Sequence, residues 1–147
     1  MLKDKFDAVG TLKIELRDEH GNLKEVHNLK NLITDLGKAF IAGRMSASGT
    51  PTAMGWMSIG TGTTAAAGSQ TTLVTEGGRV ALTSTTVSTN TVTYVATFGA
   101  GVGTGAVTEA GIFNASSAGT MLNRTVFSAI NKGASDTITI TWVVTIQ

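Results

Sequence analysis

The chain of 147 residues has no cysteine and a single proline, Pro51. Without cysteine there is no disulfide framework and no thiolate metal site. Aromatic residues are 5% of the total, which counts against a carbohydrate-binding module built on exposed ring faces. No run approaches the ~18 apolar residues a membrane helix needs. Net charge is +1, so no global field draws the chain to nucleic acid or to a membrane surface. The start, MLKDKFDAVG, puts four charges in its first seven residues. With no apolar core of a secretory signal there, synthesis and folding in a cytoplasm are expected.

Charge is also scarce in a second sense. Residues 1–44 hold eight of the eleven Lys/Arg and seven of the ten Asp/Glu. Beyond them stand only Glu76, Arg79, Glu109, Arg124, Lys132 and Asp136. That is roughly 6% of residues 45–147, against about 25% in an average domain. Thr, Ser, Gly and Ala take the vacated places. Long charged side chains lose rotamer freedom when immobilised against a neighbour, and short polar ones lose little. The composition suits a chain that sits among other proteins; a stable β-domain is the plainer alternative.

The length fits one domain, with a hairpin and helix over 1–44, part of that domain or an assembly arm reaching over a neighbour, and a β body over 45–147. Thr11–Arg17 alternates Leu12, Ile14 and Leu16 with polar residues, as a half-buried strand does. Asp18–Asn22 is turn chemistry, and Leu23–Asn28 returns as the second arm. Leu29, Leu32, Ile33, Leu36, Phe40 and Ile41 fall on one face at helical spacing. Asn31 or Thr34 caps this predicted short amphipathic helix, and Gly43 ends it. Its face, Leu36 and Phe40 above all, is a candidate contact surface for the body or another subunit.

After a Ser/Gly/Thr-rich loop over 45–52, strands dominate: Met54–Ile59, Arg79–Ser88, Thr91–Phe98, Val107–Phe113 and Met121–Phe127. The C-terminal strand over 137–146 is the clearest, with Ile138, Ile140, Trp142, Val144 and Ile146 alternating with a Thr-rich face. The rhythm predicts an antiparallel β-sandwich, jelly-roll-like. Its C-terminal strand should lie centrally, with Trp142 inward.

The stretch FGAGVGTGAVTEAGIFN (98–114) raises the question of a phosphate loop. No pair of its alternating glycines has a third at dinucleotide spacing, and the residues after them are strand-like. No helix N-terminus is offered to an anion. The glycines instead permit a tight crossing between strands. His20 and His27 lie in the charged hairpin without further metal ligands around them, and no nucleophile elbow occurs. No catalytic, cofactor or metal residue is therefore assigned. Glu109 and Arg124 are different: each is a lone charge in an apolar strand. They read either as solvated side chains or as a buried ion pair fixing register or an interface.

LKIELRDEHGNLKEVHNLKNLIT, FIAGRM, TEAGIFN and DTITITW are similar to segments of small virion proteins of tailed bacteriophages, over nearly the whole chain from Lys13. The resemblance implies a viral structural protein without enzymatic activity or cofactor, and transfers no catalytic residue. It implies a virion location, foremost the capsid exterior, after synthesis in the bacterial host. The implied role is capsid decoration (cement), with the major capsid lattice and further copies of itself as partners, and neither nucleic acid nor membrane. Tail fibre, collar or baseplate subunits are the second reading, and a carbohydrate-binding receptor module the third.

Overall fold

The computed structural model describes residues 7–147; the charged start over 1–6 lies outside the described residues. The elements are β1 (Ala8–Arg17), β2 (Leu23–Ile33), α1 (Asp35–Arg44), β3 (Trp56–Gly60), β4 (Glu76–Ala81), β5 (Ser84–Ser88), β6 (Thr91–Phe98), β7 (Gly105–Phe113), β8 (Met121–Lys132) and β9 (Thr137–Ile146). The nine strands form one antiparallel sheet in the order β4-β3-β7-β8-β2-β1-β9-β6-β5, curled as a half-barrel. The mainly-β expectation, with one short helix, holds among the described residues.

Period-2 alternation puts the apolar sets of β1, β6 and β9 on the concave side. Leu12, Ile14 and Leu16 of β1, Tyr94, Ala96 and Phe98 of β6, and Ile138, Ile140, Trp142 and Val144 of β9 are all buried there. They meet Met57 and Ile59 of β3, Ala110 and Ile112 of β7, and Leu122 and Ile130 of β8 in one cluster. β9 lies between β1 and β6, so the C-terminal strand is internal as its pattern predicts. Trp142 is fully buried, and its Nε1 donates to Asn31 Oδ1 at 2.8 Å.

The β1–β2 hairpin sits in the middle of the sheet. β1 pairs along its length with β9, and β2 passes from β1 to β8 through Leu32↔Arg124 and Ile33↔Asn123. These two strands therefore join the halves of the sheet. At the far end of β1 the backbones of Asp7 and Gln147 exchange both hydrogen bonds, at 2.9 and 2.7 Å.

Two local expectations change. The helical spacing from Leu29 to Ile33 belongs to β2, and the helix starts only after Thr34. Thr34 is the N-cap: its Oγ1 accepts from Gly37 N at 3.0 Å and donates to Met121 O at 2.7 Å. The cap thus welds the helix start to β8. A side chain at Gly37 would overlap the Leu122 carbonyl, so the first turn approaches β8 more closely than any residue with a Cβ allows. Gly43 lies inside the helix, which ends at Arg44. Phe40 and Ile41 pack on the core, whereas Leu36 is 41% exposed.

The second change concerns Arg79–Ser88, which is not one strand. β4 pairs with β3 and β5 with β6, at opposite edges of the sheet. Leu82 and Thr83 carry the chain between them, bonded through their amides to Gly55 O and Val95 O at 2.9 and 2.7 Å. The sheet curls far enough for its two edges to approach within this short link.

Candidate functional site

β7 is buried on both faces. A bulge between Val107 and Glu109 shifts its register on β8, leaving Ala110 and Ile112 in the main core and Glu109 on the alternate, outer side. The loop over 61–75 covers that side. Its Leu73 packs with Phe113 and Met121 in a second small core, against the half-buried Trp56.

Glu109 and Arg124 meet beneath this loop, both with fully buried side chains. Glu109 Oε2 accepts from Arg124 Nη2 at 2.8 Å and Nε at 3.0 Å, and from Val74 N at 3.0 Å. Its Oε1 accepts from Thr75 N at 2.7 Å and Gly62 N at 2.9 Å. Arg124 Nη1 donates to Thr64 O at 2.8 Å and Gln70 Oε1 at 2.9 Å. One ion pair therefore holds a loop at five places. Gly62 admits the carboxylate because a Cβ there would crowd Oε1. The pair is a clamp on the loop and presents no surface to another molecule.

Burial raises the Glu109 carboxyl, but the amides of Thr75 and Val74, the Arg124 guanidinium and the Gly62 amide outweigh it and hold its pKa below the ordinary glutamate value. The Lys24 ammonium, followed by the Gly133 amide, lowers Asp136. Both groups release their protons more readily folded than unfolded. Their stabilisation is therefore complete above the unfolded carboxylate range, about pH 4, and is lost as pH falls through the lower folded values. The calorimetric melting temperature should be flat from about pH 7 to 5 and fall below about pH 4. Glu109→Gln should make that fall shallower; an identical pH profile in the variant would rule Glu109 out as a contributor.

The remaining charges of residues 45–147 are also engaged internally. Arg79 forks onto Glu76 at 2.7 and 2.9 Å and donates to Ala115 O and Ala118 O, both at 2.9 Å. Its guanidinium lies 3.7 Å from the Phe113 ring centroid, pinning the β7–β8 loop. Lys132 is 2% exposed and donates to Gly99 O at 2.8 Å; burial lowers its pKa against the pull of Asp136. The sequence signal for Arg79 was present, as one of six charges in a region almost without them. Its loop partners are backbone carbonyls, which leave no mark in the sequence.

The glycine stretch runs from β6 to β7, with Gly101, Gly103 and Gly105 at φ 80, 63 and 132°. It leads into a strand, as expected of a crossing between strands. His20 and His27 lie beside Glu19 and Glu25 at 3.4 and 3.2 Å. Among the described residues no group of three or more potential metal ligands gathers.

A groove of about 400 Å3 runs between α1 and the β5–β6–β9 edge, with Phe40, Met45, Met54, Val87, Val92 and Ile146 among its lining. Phe40 is thus shared between core and groove. Leu36 joins Phe40 in lining a separate hollow near Pro51 and Thr120. Of the five residues singled out from sequence, Glu109 and Arg124 form an ion pair, Leu36 and Phe40 share a hollow on the helix, and Trp142 stands apart in the core.

No family model matches this chain, and no match is found among curated proteins or solved structures.

Proposed function

We propose that this chain is a non-enzymatic structural subunit of a tailed-phage particle, and in the first instance a head-decoration protein on the capsid exterior. The observation that carries the reading is the use of charge. All six charged side chains of residues 45–147 make internal hydrogen bonds, five of them to loop backbone and all of them within this chain. Apart from the exposed charges of residues 7–44, such as Lys13, Glu19 and Lys38, what remains outside is mostly Thr, Ser, Gly and Ala, suited to many short contacts with a protein lattice. Such contacts, repeated over a shell, give avidity without one tight site. The motif resemblance to phage virion proteins supports the same reading.

In this reading the half-barrel is a sandwich of two leaves, β5-β6-β9-β1-β2 and β8-β7-β3-β4. Support comes from the single core drawn from strands of both. A carbohydrate-binding module is less well supported, because Trp142 is fully buried and Trp56 belongs to the second core.

Purified chain should be mixed with decoration-free phage shells and separated by sedimentation. Saturable binding on the order of hundreds of copies per shell, as icosahedral symmetry presents, is the expected result. Binding confined to tails or necks would move the subunit to a fibre, collar or baseplate. Failure to bind any virion part, with turnover of a nucleotide, ester, peptide or glycan, would overturn the proposal.

A further inference from the structure

The two edges of the sheet are treated differently. Along β4, Gly77 and Gly78 pack one face against Gly103 and Val102 of the β6–β7 loop. Among the described residues β5 pairs only with β6, and all five of its residues are exposed. Natural edge strands are blunted by lysine, proline, a bulge or a covering segment. β5 reads STTVS and carries none of these. It is rich in the β-branched residues that pair well. Its Thr85 and Val87 also form one wall of the apolar groove, opposite Phe40, Ile41 and Met45. Val87 is 71% and Met45 82% exposed.

We propose that β5 is a homotypic docking edge, to which a second copy of this chain adds its own β5 antiparallel about a two-fold axis at Thr86. Full overlap of two five-residue strands requires that centre. It sets Thr86 opposite Thr86 of the partner subunit and Thr85 opposite Val87 of the partner subunit.

Charge selects a second copy over a peptide of either sign. A two-fold contact brings each residue near its own equivalent, and like charges facing each other across strands are destabilising. β5 has no charge, and among the described residues Arg44 is the one charged residue lining the groove. Identical surfaces can therefore meet without a row of like charges, and a charged peptide finds little to read. A five-residue ladder alone falls short of the ~800 Å2 per partner of a stable interface. Val87 and Met45 must therefore share the contact, and the dimer is weak and concentration-dependent. The inference stands independently of the virion reading.

Sedimentation velocity on the full chain should show a monomer–dimer equilibrium over a concentration series. Val87→Lys and Val87→Glu should each raise the dimer Kd about tenfold or more, and an equimolar mixture of the two should restore association. Because the chain has no cysteine, Thr86→Cys offers a second measurement. Directly opposed strand residues lie within disulfide range, so mild oxidation should yield a linked dimer faster than it does with Ser48→Cys, on an exposed loop. A wild-type mass that stays monomeric, unchanged association of Val87→Lys, or equal cross-linking of the two cysteine variants would each overturn the proposal.

Discussion

Arg124→Met should remove about 3–5 kcal/mol of stability, the usual consequence of stranding one partner of a buried pair. Glu109 would remain under the loop with three backbone donors and no cation. Thr64 O and Gln70 Oε1 would lose their donor as well. Glu109→Gln should be costly for the complementary reason. Both carboxylate oxygens face donors, and an amide would turn its own N–H groups toward one set of them. The first segment to detach should be 61–75, since Glu109 and Arg124 bind it through Gly62, Thr64, Gln70, Val74 and Thr75. Denaturant titration gives the loss, and limited proteolysis should cut within 61–75 before the sheet unfolds. Coupling in the double-mutant cycle should exceed ~0.5 kcal/mol. Both single variants unfolding at the wild-type denaturant midpoint would refute the clamp.

Deleting residues 1–28 should abolish cooperative folding altogether. The deletion takes all of β1 and half of β2, which lie between β8 and β9 in the sheet. β9 would lose the partner that pairs with it along ten residues. The core would lose Leu12, Ile14 and Leu16, each at most 2% exposed. Fully burying such a side chain contributes roughly 1.5–3 kcal/mol, and a domain has only about 5–15 kcal/mol in total. The truncated chain should show no thermal transition by near-ultraviolet circular dichroism and should bind a hydrophobic dye. A sharp wild-type-like melt would mean that the two halves of the sheet stand without their joint.

The legible parts of the fold were those where local pattern and tertiary environment agree. β1, β6 and β9 each have one face on the core and one outside, so their alternation reads directly from Leu12 to Leu16, Val92 to Phe98 and Ile138 to Ile146. The helix start was ambiguous because Leu29, Leu32, Ile33 and Leu36 satisfy helical spacing even though the first three belong to a strand. Thr34 decides the matter through its contact with Met121, distant in the chain. The split between β4 and β5 was hidden for a similar reason. RVALTSTTVS reads as one β-branched run, and only pairing with β3 on one side and β6 on the other divides it. For the candidate site, two isolated charges in apolar strands sufficed to single out Glu109 and Arg124. The loop they hold answers mainly through its amides and a carbonyl, which any sequence supplies.

The bonded ends of the described chain have a mechanical consequence. Asp7 and Gln147 lie side by side at one end of an antiparallel pair, with β1 and β9 running away from them in register. Tension applied between these two residues would open the β1–β9 ladder one rung after another, because its hydrogen bonds run perpendicular to the strands. Tension between opposite ends of the same two strands would load the rungs together in shear. The sheet should therefore yield at low force when pulled at Asp7 and Gln147 and resist when loaded along its strands. A subunit under strain would have to be gripped along its strands or loops.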